Sequence, residues 1–361
     1  MANHPYESMP SYRRWSRAVA SLPPAALDPV VDFPFKITRQ DKVATAGSCF
    51  AQHIAKRLAQ SGYNYFVAEK GHPLASEEVR RHFQYELFSA RYGNIYTARQ
   101  LLQLFREAFG RQEHRELYWQ LGSRYVDPLR PAVEPDGFAS VQELLLERGQ
   151  HLAAVRRMFS ELDVLVFTLG LTEAWESTED GTIYPLCPGV RGGCFDENIH
   201  VFRNFGVSEV ADDLTEFMTE LLSVNARAKV ILTVSPVPLV ATALDRHVLV
   251  STTYSKSVLR VAAEMVQNRF PGIMCYFPSY EIITGAHGRG SYFEADLRSV
   301  TAEGVDHVMR TFFRHVAADS DGMPAAQEMV SGTGAESFTD RMEAITRVIC
   351  EEELLDKMRP R

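Results

Sequence analysis

Five short, nearly continuous apolar runs punctuate the chain: KVATA (42–46), YNYFVA (63–68), DVLVFTLG (163–170), KVILTVSP (229–236) and GIMCYFP (272–278). A strand with one wet face alternates polar with apolar residues, so runs like these read as strands covered on both sides. Between them, apolar residues recur at helical spacing. Phe50, Ile54 and Leu58 form one stripe, and Leu101, Leu104, Phe105 and Ala108 a second. Leu214, Phe217, Leu221 and Leu222 form a third, and Val258, Val261, Ala262, Met265 and Val266 a fourth. Buried strands alternating with amphipathic helices call for a mostly parallel sheet between two helical layers. The expected fold is α/β, a three-layer sandwich.

Two stretches break the alternation. Residues 116–138 are aromatic and Pro-containing, and residues 175–205 have no helical period and many turn residues. Insertions after strand ends are where pockets are usually built. The main domain is expected over 36–317. Residues 318–361 read as a linker and a C-terminal helix with Met342, Ile345, Val348 and Ile349 on one side.

Composition narrows the function classes. With 361 residues, 45% hydrophobic, the chain can bury a sizeable core, and its net charge of −8 argues against nucleic acid as a partner. No apolar run approaches bilayer-spanning length, and the N-terminal stretch has no apolar segment of the leader type. The five cysteines are scattered and include no Cys-x-x-Cys pair, which suits reduced thiols in a cytoplasm. Cys187 and Cys194 frame a Gly-rich loop without histidines at metal-ligand spacing, so no metal is expected there, and no residue placed here requires a bound organic cofactor. Oligomeric state is open.

The chemistry concentrates at residues 42–66, where an apolar strand stops at Gly47, Ser48 and Cys49 follow, and an amphipathic helix begins at once. In an open α/β sheet the ligand crevice lies beyond the carboxyl ends of the strands. A helix N-terminus there favours developing negative charge. Ser48 is therefore a candidate nucleophile, although serine is also a preferred N-cap. Other strand ends carry polar groups too: Gly170-Leu171-Thr172-Glu173, Ser235, and Asp296 ahead of a helix capped by Thr301. Four such segments on one sheet edge favour a site over four unrelated caps.

GSCFA at 47–51 resembles the signature of the GSCFA family, a branch similar to the SGNH/GDSL esterases and acyltransferases. FTLGLTEAW (167–175), YPLCPG (184–189), LTVSPVPLVAT (232–242), YSKSVLR (254–260) and FPSYEI (277–282) resemble its text as well. The resemblance implies an acyl-enzyme on Ser48, whose own N–H would be an oxyanion donor. Gly93 in YGNIYT and Gly170 would be further donors, with Thr172 standing where the superfamily has an asparagine. The superfamily's Asp-x-x-His block reads Asp296-Leu297-Arg298-Ser299, so Ser299 occupies the place of the usual base. Serine needs a base to attack. His287, in a Gly-rich loop, is the favoured substitute, with His200 and His53 as alternatives and His307 set aside as solvent-facing. Cys49, a thiol at a helix N-terminus, needs less help from a base and is the alternative nucleophile. Against it, consecutive residues in a tight turn are not expected both to face the crevice. The implied substrate is a small-molecule or glycan acyl ester, with hydrolase and transferase both open. A non-catalytic binding protein on the same scaffold is the other reading.

Overall fold

The structure, a computed structural model, describes residues 4–318 and 353–356. The tail face of Met342, Ile345, Val348 and Ile349 lies outside the described residues. Two compact units form, one built on residues 39–276 and the other on 4–38 with 277–318.

In the larger unit, strand β1 (Val43–Gly47) leads into helix α1 (Phe50–Gln60), followed by α2 (Glu77–His82) and α3 (Ala98–Ala108). Next come a hairpin of β2 (Trp119–Leu121) and β3 (Arg124–Val126), then α4 (Val141–Glu161) and β4 (Val164–Leu169). Strands β5 (Glu173–Ser177), β6 (Ile183–Tyr184) and β7 (His200–Asn204) precede α5 (Val207–Val224). Then β8 (Lys229–Val234), α6 (Val248–Arg269) and β9 (Met274–Tyr276) complete the unit.

The central sheet is all parallel, in the order β1-β4-β8-β9. Its members are buried almost throughout, as their unalternating sequences required. The strand expected at 63–68 is reduced to one bridge on the outer edge of β1, where Val43 N–H donates to Asn64 O at 3.0 Å and Phe66 N–H to Val43 O at 2.8 Å. Beyond it the chain turns away, because Ala68 N–H is taken by Ser89 O at 2.6 Å. From β1 the chain thus runs first to one side and then, through β4, β8 and β9, to the other. Right-handed crossovers put α1 on one face and α4, α5 and α6 on the opposite face, and the three-layer sandwich follows. Phe105, Phe159 and Phe217 close the second helical layer, with ring centroids 5.2–5.8 Å apart in edge-on contacts.

Both insertions carry β-structure of their own. The 116–138 stretch makes the β2–β3 hairpin, and the 175–205 stretch the antiparallel sheet β6-β5-β7. Trp119, Val126 and Tyr184 form a shared apolar cluster that ties them together. Below the hairpin, buried charges are fully paired across elements. Asp127 Oδ1 accepts from Arg148 at 2.7 Å and Oδ2 from Arg130 at 3.0 Å, while Arg130 also reaches Glu147 at 2.6 Å. Burial alone would raise the Asp127 carboxyl, but the Arg148 and Arg130 guanidinium groups overcome it and hold it at about 2.

The smaller unit contains α7 (Ser279–Thr284) and α8 (Ala302–Val316), the latter capped by Thr301, whose hydroxyl accepts from Gly304 N–H at 3.2 Å. Val305, Val308, Met309 and Phe312 are buried, as their spacing predicts. His307 corrects the reading that it faces solvent. It is 2% exposed, 2.7 Å from Leu27 O and 2.8 Å from the Tyr292 hydroxyl. The segment before residue 38 covers that side of α8, a contact between residues 280 apart in sequence that helical periodicity does not encode.

Candidate active site

Strand order reverses between β1 and β4, and at such a switch point the loops leaving neighbouring strands part to open a crevice. Gly47 ends β1 at φ +134°, with its Cα against the Thr168 carbonyl, so any Cβ would collide with β4. That close approach sets Ser48 at the sheet's edge. Cys49 already has helical angles (φ −51°, ψ −32°) and caps α1 without a side-chain bond. The N-cap alternative for Ser48 fails on geometry, since its hydroxyl accepts no bond from the helix. Ser48 is 3% exposed, and its Oγ has no hydrogen-bond partner among the described residues.

From β4 comes Gly170, where a Cβ would stand 3.0 Å from Ser48 Cβ and 3.0 Å from Tyr96 O. Only glycine lets the two strand ends close on each other. Ser48, Cys49, Tyr96, Gly170, Ser235 and Lys256 share the wall of one small cavity. Tyr96, Leu171 and Leu239 form an apolar cluster on its border. Strand ends expected to converge therefore do so for Ser48, Gly170 and Ser235. Contrary to expectation, Cys49 and Ser48 both border the cavity: Cys49 is the N-cap and the helix starts at Phe50, one residue later than a Ser48 cap would have it.

The expected oxyanion donors need correction. Ser48 N–H donates to Thr168 O at 3.1 Å and Gly170 N–H to Tyr96 O at 2.9 Å, so neither is available in this arrangement. Thr172 N–H is held by Ser255 Oγ at 3.0 Å, and its hydroxyl donates to Asn204 Oδ1 at 2.6 Å. Gly93, at φ +68°, lies two residues before Ile95, whose N–H donates to Gly47 O at 2.9 Å.

Two of the candidate histidines, His53 and His200, belong to this unit. His53 is half-buried on α1, its ring edge-on to Phe50 at 5.6 Å. Desolvation, helped by Lys56 and Arg57, lowers its pKa to about 4. His200 pairs with Ser177 at the far end of the β5–β7 ladder. That is four residues from Glu173, roughly 13 Å along an extended strand. Its Nδ1 accepts from Asp196 N–H at 3.0 Å, and Nε2 is 3.6 Å from Glu116. It supports the insertion rather than the strand ends. Glu173 is half-buried and accepts from the Thr242 hydroxyl at 2.7 Å, and desolvation raises its pKa.

The remaining predicted residues belong to the smaller unit. Ser299 stands to Asp296 as a histidine would, its hydroxyl donating to Oδ2 at 2.6 Å. Asp296 Oδ1 accepts from the Arg298 and Ser299 N–H groups, each at 2.9 Å. Although burial opposes it, these bonds lower the exposed Asp296 carboxyl below its ordinary value. His287 is half-buried, 6.3 Å from Tyr292 between ring centroids, and its Nε2 has no partner among the described residues. Burial, then the nearby His307, lowers its pKa.

Sequence reasoning missed Lys256. It is 2% exposed, and its Nζ donates to Gly170 O at 2.5 Å. With Ser255 on Thr172 N–H, it clasps the turn after β4 from α6. The signal was legible in YSKSVLR: a lysine in step with Thr252, Leu259 and Ala263 on the side of α6 that holds Leu259 and Ala263 buried. A second feature adjoins the cavity. A cleft of about 290 Å³, bordered by Trp175, Leu186, Phe202 and Leu355, shares Leu171 and Leu239 with the Ser48 cavity.

No helix among the described residues is long and apolar enough to cross a membrane. No curated protein matches this chain. A family model does, over residues 42–312, from the approach to β1 into α8. Well over half of the sequence is thereby accounted for, the Gly47–Ser48 turn and the Lys256 clasp included, and the chain belongs to the GSCFA family.

Proposed function

We propose that the protein is a serine-dependent acyl-transfer enzyme, an ester hydrolase or O-acyltransferase that forms an acyl-enzyme on Ser48. One observation carries the reading: a buried hydroxyl with no partner, at the strand-order reversal, beside the start of a helix. A buried hydroxyl left unpaired costs about 1–3 kcal/mol, and such a group is retained where an incoming reactant completes its bonding. The order of motifs along the chain, similar to that of SGNH/GDSL enzymes, supports the same class.

The adjoining cleft bears on the substrate. Its Trp175, Phe202, Leu186 and Leu239 walls suit an apolar chain or the flat face of a sugar ring, and Glu173 is its titratable carboxyl. Both an acyl group larger than acetyl and a glycan acceptor fit that description.

The test is fluorophosphonate labelling of the full chain at neutral pH, with peptide mapping and Ser48→Ala as control. Adduct on Ser48 that disappears in the variant is expected. Acyl release from aryl esters with and without sugar acceptors then separates hydrolase from transferase. A binding protein without turnover is the second reading. It is favoured by Asp296, whose carboxylate is engaged by Ser299 and its own loop. Absence of labelling on demonstrably folded protein would establish that reading instead.

A further inference from the structure

We propose that Lys256 is the general base for Ser48, an inference that rests on Ser48 being the nucleophile. Three observations carry it. First, Lys256 borders the same cavity as Ser48, and among the described residues no histidine lines it. The other protic side chains there are a thiol, a phenol and a hydroxyl (Cys49, Tyr96 and Ser235), which are poor bases while protonated. Second, Lys256 Nζ holds the carbonyl of Gly170, the residue packed directly against Ser48 Cβ. Lys256 and Ser48 thus meet the same short turn, each at the wall of the one small cavity. Third, the position is expensive to fill with lysine. At 2% exposure the amino group is withdrawn from water, and a methionine would occupy the same volume without that cost. Anchoring the turn does not by itself require a lysine, since Ser255 already holds Thr172 N–H. Buried lysines are the ones that serve as general bases.

The step balances with neutral Lys256 at the start. One N–H of the amine donates to Gly170 O. The Ser48 proton passes to Nζ as Oγ bonds to the acyl carbon and the carbonyl π pair moves to oxygen. When the tetrahedral adduct collapses, the bond to the leaving oxygen breaks and that oxygen takes the proton from the ammonium. In the second half, water or an acceptor hydroxyl gives its proton to Nζ, attacks the ester, and Oγ leaves with the proton.

The experiment is the rate of fluorophosphonate labelling of Ser48 in the full chain, with fold checked by circular dichroism and melting. Lys256→Met and Lys256→Arg are both expected to slow labelling by at least about 100-fold. Arginine keeps a donor for Gly170 but, being always protonated, cannot take the serine proton. A merely structural clasp would therefore survive in Lys256→Arg, whereas a base would not. In Lys256→Ala, added ethylamine is expected to restore labelling as pH rises and the free amine forms. Wild-type rates in folded Lys256→Met or Lys256→Arg overturn the proposal. Should those variants fail to fold, the triple variant His53→Ala/His200→Ala/His287→Ala decides. Labelling retained without those imidazoles supports Lys256, and labelling lost overturns it. A folded wild-type chain that never labels at Ser48 instead sinks the reading of Ser48 itself, so the two failures are distinct.

Discussion

Two regions of the larger unit bury polar groups, and they do so in opposite ways. Around Asp127, both carboxylate oxygens are taken by guanidinium groups from two different elements, and Arg91 is shared among Glu147, Glu134 and two backbone carbonyls. Around Ser48, the Ser48 and Gly170 N–H groups are engaged while the serine hydroxyl has no partner among the described residues. The first region makes a scaffold: desolvation is offset bond for bond, so the charges lock the 116–138 insertion against α4. The second is a place where bonding was left incomplete inside a rigid frame. Burial alone does not distinguish them. What differs is whether the polar inventory closes.

The comparison breaks most sharply at Ser48→Ala. Fluorophosphonate labelling and ester turnover are expected to fall by at least about 10⁴-fold. The melting temperature should hold or rise, because the lost hydroxyl has no bond to lose. A drop of several degrees would mean that Ser48 belongs to the scaffold after all.

Asp127→Asn should show the reverse pattern. Removing the charge takes one carboxylate from Arg148 and Arg130, which keep Glu107 and Glu147, and urea titration is expected to show a loss of about 1.5–3 kcal/mol, with labelling per folded molecule little changed. The same pair sets a pH dependence. The folded-state pKa of Asp127, about 2, lies below its ordinary 3.8, so the folded state binds the proton less readily than the unfolded chain. Its stabilisation is complete above the ordinary value and is lost as pH falls toward 2. Melting temperatures measured between pH 5 and 2 should decline, with a shallower slope in Asp127→Asn.

Gly170→Ala sharpens the site side of the comparison. The added methyl must displace Ser48 or Tyr96, at a cost of about 1–3 kcal/mol. A shift of that kind is expected to reduce labelling by about 100-fold. The smallest effect is expected at Cys49→Ala. Buried at 3% exposure, Cys49 should cost about 1 kcal/mol when trimmed, and serine labelling should stay within about threefold. Loss of labelling in this variant with retention in Ser48→Ala would reassign the nucleophile.

Much of this protein was decided locally, and so was legible in its sequence. Runs such as VLVFTL and KVILTV carry no polar alternation, and that alone requires parallel strands covered on both faces. Gly47 before Ser48 marks a position that a Cβ cannot occupy, and Thr301 three residues before Gly304 marks a helix start. These follow from φ/ψ sterics and from bonds within one turn. Other features depend on residues far apart in the chain, and there local pattern misled or was silent. His307 is buried because Leu27 covers it, and the donors at Ser48, Gly170 and Thr172 are engaged because Thr168, Tyr96, Ser255 and Asn204 arrive from other elements. Lys256 meets Gly170 across 86 positions of sequence. The sequence by itself determined where a turn must bend and which faces must be buried. Only tertiary structure decided which hydrogen bonds close and which hydroxyl is left open, because each such bond depends on two residues that no single stretch of chain contains.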